Sequence, residues 1–161
     1  VIIPITAFGP CPLSSSSGTP VMPFTIYLVE DQDILRSSLH MYVDNEDDLN
    51  VVGSAEDAPT ALEEIAAQVP DLVLIDVALP GMSGISLLNQ LREDHPDLAC
   101  LMLSGHSEDQ YVQQAVDAGA QGYVRKGDPD EYLAAIEAVL DGSTYVSDAV
   151  EKQWRRAVSD A

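Results

Sequence analysis

The stretch DLVLIDVALPGMSG, residues 71–84, opens on the apolar run Leu72-Val73-Leu74-Ile75 and stops on a carboxylate, Asp76. Pro80-Gly81 follows, a strong turn signal. A short apolar run bounded by turn chemistry suits a strand buried on both faces, as in a parallel sheet. Asp76 then sits at the carboxyl end of a central strand, the edge where open α/β sheets bind ligands. On its own, an Asp in that place is equally well read as the opening of a loop.

Three further stretches share the pattern. Tyr27-Leu28-Val29 ends in the acid pair Glu30-Asp31. Leu101-Met102-Leu103 ends in Ser104-Gly105, and Gly122-Tyr123-Val124-Arg125 ends in Lys126. If the four strands are parallel, three carboxylates, a hydroxyl and an ammonium converge on one edge.

The rest of the chain supplies the alternation such a sheet needs. Strands are expected at Thr25–Val29, Asn50–Ser54, the run ending at Asp76, Cys100–Leu103 and Gln121–Arg125. Between them, apolar residues recur at helical spacing. Leu35, Leu39, Tyr42 and Val43 mark a first helix over Asp33–Val43, and Leu62, Ile65, Ala66 and Val69 a second, capped by Asp57 and ended by Pro70. Leu87, Leu88 and Leu91 mark a third over Gly84–Glu93. Ser107-Glu108-Asp109-Gln110 reads as a capping box for a fourth, with Val112, Ala115 and Val116 inward and Gly119 as its stop. Asp128-Pro129 opens a fifth, which carries Leu133, Ile136, Val139 and Leu140 to Gly142. Five strands alternating with five helices predict an α/β fold, a doubly wound parallel sheet with helices on both faces.

Composition narrows the function classes. Seven basic against 27 acidic side chains give a net charge of −20. A nucleic-acid surface needs clustered Lys and Arg, so direct nucleic-acid binding by this chain is not expected. No apolar run is long enough to cross a membrane. Two cysteines, Cys11 and Cys100, make neither a disulfide framework nor a metal site. Residues 1–21 hold four prolines, a four-serine run and no Lys or Arg. They are read as a flexible leader of non-native origin, with Met22 as the native start. The tail, Asp148–Ala161, looks helical and is either an extra packed helix or the start of a linker.

The order acid pair, Asp, Ser, Lys at successive strand ends resembles the receiver domain of two-component response regulators, over about residues 23–146. The segment from Gly122 through Tyr145-Val146 is similar to the NarL/LuxR-type subgroup. The resemblance implies a flavodoxin-like fold with strand order 2-1-3-4-5. It divides the chain into the leader, a receiver domain at 22–146 and a C-terminal tail at 147–161.

It also implies roles. Asp76 would be the phosphoacceptor, with Ser104 and Lys126 contacting the phosphoryl group. Clustered carboxylates favour a hard cation with oxygen ligands, Mg²⁺, held by Asp31 and Asp76. Glu30 through water and the Ala78 backbone carbonyl would complete that set, Glu30 standing where receivers more often have Asp. Ser104 and Tyr123 would form the switch that reshapes the surface of the fourth helix and fifth strand. Ala78 and His106 would flank the path of hydrolytic water. The expected partner is a histidine kinase or phosphotransfer protein, with homodimer formation on phosphorylation and a cytoplasmic location. The chain would be a phosphoacceptor with slow self-dephosphorylation rather than an enzyme.

Two other readings fit the motifs less well. A flavin-binding flavodoxin-like module needs a hydroxyl- and glycine-rich phosphate loop where this chain has Glu30-Asp31-Gln32-Asp33. A haloacid-dehalogenase-like phosphatase needs a second Asp two residues after its nucleophile, where this chain has Ala78.

Overall fold

A computed structural model of the chain describes residues 2–3, 23–105 and 109–160. The elements run β1 (Ile2–Ile3), β2 (Phe24–Val29), α1 (Asp33–Asp44), β3 (Leu49–Ala55), α2 (Ala58–Ala67), β4 (Leu72–Asp76) and α3 (Gly84–Asp94). They continue β5 (Ala99–Ser104), α4 (Asp109–Asp117), β6 (Gly122–Arg125), α5 (Pro129–Leu140), β7 (Thr144–Val146) and α6 (Glu151–Asp160). Residues 4–21 of the leader, Met22, His106 and the Ser107-Glu108 start of the expected capping box lie outside the described residues.

The strands form one sheet in the order β1-β7-β6-β5-β4-β2-β3. Every neighbouring pair is parallel except β1 with β7. Its centre, β3-β2-β4-β5-β6, is the 2-1-3-4-5 order of the expected flavodoxin-like, doubly wound sheet.

Two strands correct the five-stranded expectation. Thr144–Val146 adds to β6, where Tyr145 and Val146 are buried. Three residues are too few to show a period of two. Ile2–Ile3 then pairs with β7, Ile2 opposite Tyr145 and Ile3 opposite Thr144. Residues 1–21 are expected to form a flexible leader, and two of them, Ile2 and Ile3, pair with β7. A sheet edge leaves backbone donors and acceptors unpaired, and two β-branched residues suit a strand that answers them.

The pleat sorts side chains into two cores. Tyr27, Val29, Val73, Ile75, Cys100, Met102 and Tyr123 face α2, α3, α4 and α6. Ile26, Leu28, Leu72, Leu74, Leu101, Leu103 and Val124 face α1 and α5. Both faces of the central strands are dry, which is why residues 72–75 are uniformly apolar rather than alternating.

Helix ends follow local chemistry. Asp57 accepts from Thr60 N at 2.9 Å and Asp128 from Asp130 N at 3.0 Å, as the caps predict. Gly119 stops α4 at φ 85°, with Ala120 N donating to Ala115 O at 3.0 Å. Val69 departs from expectation: α2 ends at Ala67, and Val69 is half exposed. The proline after it keeps Val69 out of the helical region, so the helix closes early.

The tail is a packed helix. Trp154 and Ala157 of α6 join the core that holds Val112 and Ala115 of α4, and Gln113 Nε2 donates to Ala157 O at 3.5 Å.

One glycine positions the edge of interest. A Cβ at Gly84 would lie 2.0 Å from the Asp76 carbonyl oxygen, and Gly84 N donates to Val77 O at 3.0 Å. The start of α3 therefore lies against the backbone that carries Asp76. Because the obstacle is backbone, it cannot rotate away. Gly84→Ala should cost roughly 3 kcal/mol, the upper end of overpacking penalties. Urea denaturation of the variant against the parent chain checks this, and unchanged stability would show that the loop yields freely.

Candidate functional site

Parallel register brings the predicted residues together. Val29, the last residue of β2, pairs with Ile75, so Glu30 and Asp76 leave their strands side by side. Ser104 of β5 pairs with Arg125 of β6, and Lys126 N donates to Ser104 O at 2.8 Å. Glu30, Asp76 and Ser104 are each 1% exposed, whereas Asp31 is exposed.

Lys126 ties the group together. Its Nζ lies 2.9 Å from Asp76 Oδ2 and 3.3 Å from Glu30 Oε1. Glu30 Oε2 is 3.2 Å from the same ammonium but accepts no hydrogen bond among the described residues. Asp76 Oδ1 accepts from Ala78 N at 3.0 Å, and Glu30 Oε1 from Gln32 N at 3.3 Å. Ala78 itself is exposed in the loop that follows Asp76.

The electrostatics record the crowding. Burial and then the neighbouring Asp76 carboxylate push the Glu30 carboxyl up to about 7, against the pull of Lys126. Burial alone would lower the Lys126 ammonium, but the Asp76 and Glu30 carboxylates outweigh it and hold that pKa above its ordinary value.

Glu30, Asp31 and Asp76 each present an oxygen within 4.8 Å of the others. Together with the unsatisfied Glu30 Oε2, this donor set fits a hard, oxygen-seeking cation. A second carboxylate group, Glu46, Asp48 and Glu137, lies away from this edge, at the opposite end of β3.

Tyr123 is fully buried in the core that also holds Val112, Val146 and Trp154. Sequence reading missed Arg36. Its Nη1 donates to Glu30 O at 2.7 Å and its Nη2 to Asp33 Oδ1 at 2.6 Å. The available signal was a cation one turn into the helix after the acid pair, in a chain with only seven basic residues. Ser147 was also missed: its Oγ accepts from Arg125 N at 2.9 Å and donates to Glu131 Oε1 at 2.7 Å.

Residues 26–137 match the family described as Response regulator receiver domain. The chain belongs to that family. It is 29% identical over 140 residues to the Transcriptional regulatory protein DegU of Brevibacillus brevis, covering 84% of this chain and 59% of that protein. It is 32% identical over 129 residues to the Response regulator GacA of Pseudomonas viridiflava, covering 80% and 60%. Among solved structures, the LuxR-family two-component response regulator from Aurantimonas sp. SI85-9A1 superposes with a TM-score of 0.79 at 30% identity, covering 83% of this chain and 96% of that one. The receiver is thus NarL/LuxR-like and serves two-component signal transduction. The flavodoxin and phosphatase readings fall to this match. The chain spans 59–60% of the length of these two curated relatives. No described helix is long and apolar enough to cross a membrane.

The raised Glu30 pKa has a consequence for stability. The folded carboxyl keeps its proton to about pH 7, where an ordinary one loses it near 4.5. Its favourable contribution is full below pH 4.5 and is lost as pH rises to about 7. In a chelator, the melting temperature of the chain should therefore fall relative to that of Glu30→Gln across this window and run parallel above it. A constant difference at all pH values would show that Glu30 ionises normally.

Proposed function

We propose that Asp76 is the phosphoacceptor of this receiver, charged by a histidine kinase or phosphotransfer protein in the cytoplasm. The observation that carries the reading is the Lys126 ammonium bonded to two buried carboxylates at the carboxyl edge of the sheet. Asp31 and Asp76 directly, Glu30 through water and the Ala78 carbonyl are the groups that would hold one Mg²⁺, which supplies positive charge against the oxygens of an entering phosphoryl group.

The remaining steps belong to this chain's own residues. An Asp76 oxygen forms the new bond to phosphorus as the bond from phosphorus to the donor imidazole breaks, and the imidazole leaves with that electron pair. Asp76 is held for this by the Ala78 N–H on Oδ1 and by Lys126 on Oδ2. Lys126 then transfers its contact from carboxylate to phosphoryl oxygen, where its charge offsets what the transfer brings in. The Ser104 hydroxyl, at the neighbouring strand end, donates to another phosphoryl oxygen.

Drawing Ser104 inward moves the end of β5, the strand that precedes α4. Tyr123 and Trp154 lie in the core beneath α4, so the switch is read as a repacking of α4, β6 and α6. The name of the DegU relative, a transcriptional regulatory protein, favours a transcriptional output for the whole protein; self-association of the phosphorylated receiver is proposed as an intermediate event.

Acetyl phosphate with Mg²⁺ should label the chain with an acid-labile phosphoryl group, and Asp76→Asn should abolish it. Undiminished labelling in that variant would sink the assignment. Trp154 is the chain's only tryptophan. Beryllium fluoride with Mg²⁺ should therefore change its fluorescence in the wild type but not in Ser104→Ala, which should still accept phosphate. Equal responses would remove Ser104 as the coupling residue.

A further inference from the structure

The segment that delivers two of the three clustered carboxylates, residues 30–32, is tied to β3 by Glu30 N donating to Ala55 O at 3.0 Å but has no side-chain cap where it enters α1. Gln32 occupies the N-cap position of α1 and makes no side-chain capping bond, where Ser, Thr, Asp or Asn would hold the first turn. Two contacts stand in for the missing cap. One is Gln32 N donating to Glu30 Oε1 at 3.3 Å. That bond is long, and it engages the carboxylate that faces Asp76 and Lys126. The other is Arg36 Nη1 donating to the Glu30 backbone carbonyl at 2.7 Å, while Nη2 donates to Asp33 Oδ1 at 2.6 Å.

We infer that Arg36 is a positioning residue for the divalent-cation site, its guanidinium holding the Glu30 carbonyl so that the carboxylates of Glu30 and Asp31 face one cation. The inference rests on the proposed cation site. A Glu30 carboxylate that turns toward a cation or its water gives up Gln32 N. The Arg36 bonds use no ligand oxygen, so they persist and hold the loop. The pairing with Asp33 is a surface one, the Asp33 side chain being 79% exposed, and contributes little by itself. The charge-assisted bond to the Glu30 carbonyl is the stronger tie, and the planar fork sets its direction.

Charge and position predict opposite signs for removing Arg36. A guanidinium repels a divalent cation, so if Arg36 acted only through its field, its loss would tighten cation binding. If it positions the loop, its loss weakens binding, because the carboxylates must then be ordered by the cation itself.

The test is calorimetric titration of the whole chain with Mg²⁺ at low salt, for the wild type, Arg36→Met and Arg36→Lys. Circular dichroism melts in chelator run alongside. Arg36→Met should weaken Mg²⁺ binding about tenfold, the lower end of what removing a residue behind the ligands costs. Arg36→Lys, which keeps one donor for the Glu30 carbonyl, should recover part of the loss. Equal or tighter Mg²⁺ binding by Arg36→Met overturns the inference, as does a lowered melting temperature with unchanged affinity, the mark of a purely structural role. Should Arg36→Met fail to fold, Arg36→Lys decides: affinity below the wild type supports positioning, and wild-type affinity overturns it. A wild-type chain that binds no Mg²⁺ overturns the cation site itself, and this inference with it.

Discussion

Two buried carboxylates share one ammonium at the end of this sheet, and most of the structure can be understood as the means of holding them there. Glu30 and Asp76 are almost without solvent, and Lys126 is the basic side chain bonded to both. Such a group is costly to bury, because desolvation of each charge competes with the attraction between them. Burial first, and then the neighbouring Asp76 carboxylate, push the Glu30 carboxyl up to about 7 despite the shared ammonium. A site with an excess of negative charge and an unsatisfied buried oxygen is suited to receive positive charge from outside. The same imbalance that weakens the fold locally is what suits a receiver domain to a cation and then a phosphoryl group.

Holding the group requires rigid surroundings. Strands buried on both faces leave their ends little freedom, and parallel register puts those ends at one edge. Gly84 lets α3 start against the backbone of Asp76, closer than any side chain would permit. Arg36 draws the Glu30 carbonyl toward α1. These contacts lie just outside the acidic group and touch backbone, so they constrain direction without competing for the carboxylate oxygens of the site.

The far side of the site is tied to the C-terminal helix. Ser147 accepts from Arg125 N, next to Lys126, donates to Glu131 at the start of α5, and gives its own N–H to Tyr123 O at 3.0 Å. Val150 and Trp154 follow directly and enter the core beneath α4. A shift at Lys126 thus has a short covalent and hydrogen-bonded route to α6. α6 packs along α4, with Gln113 donating to Ala157 O.

The alternation of strands and helices, the two-sided burial of residues 72–75 and the caps at Asp57 and Asp128 were legible in the sequence, because period, run length and capping chemistry are local. The four strand ends that meet at the site were legible for a related reason: a polar residue that ends an apolar run can go only to the edge of a sheet. Local pattern could not decide which edges would stay open, so β7 and the pairing of Ile2–Ile3 appear only once β6 presents a free side. Nor could it decide whether the tail would pack, since an amphipathic helix needs a complementary face and that face is assembled by α4 and β6. Arg36, Gly84 and Ser147 escaped for the same reason. Each acts on the backbone of a residue from which it is separated in sequence, and a backbone atom leaves no signature in the amino-acid code. The sequence alone determined which groups meet at the site; only the tertiary structure decided how they are held, because holding depends on distances that no local pattern carries.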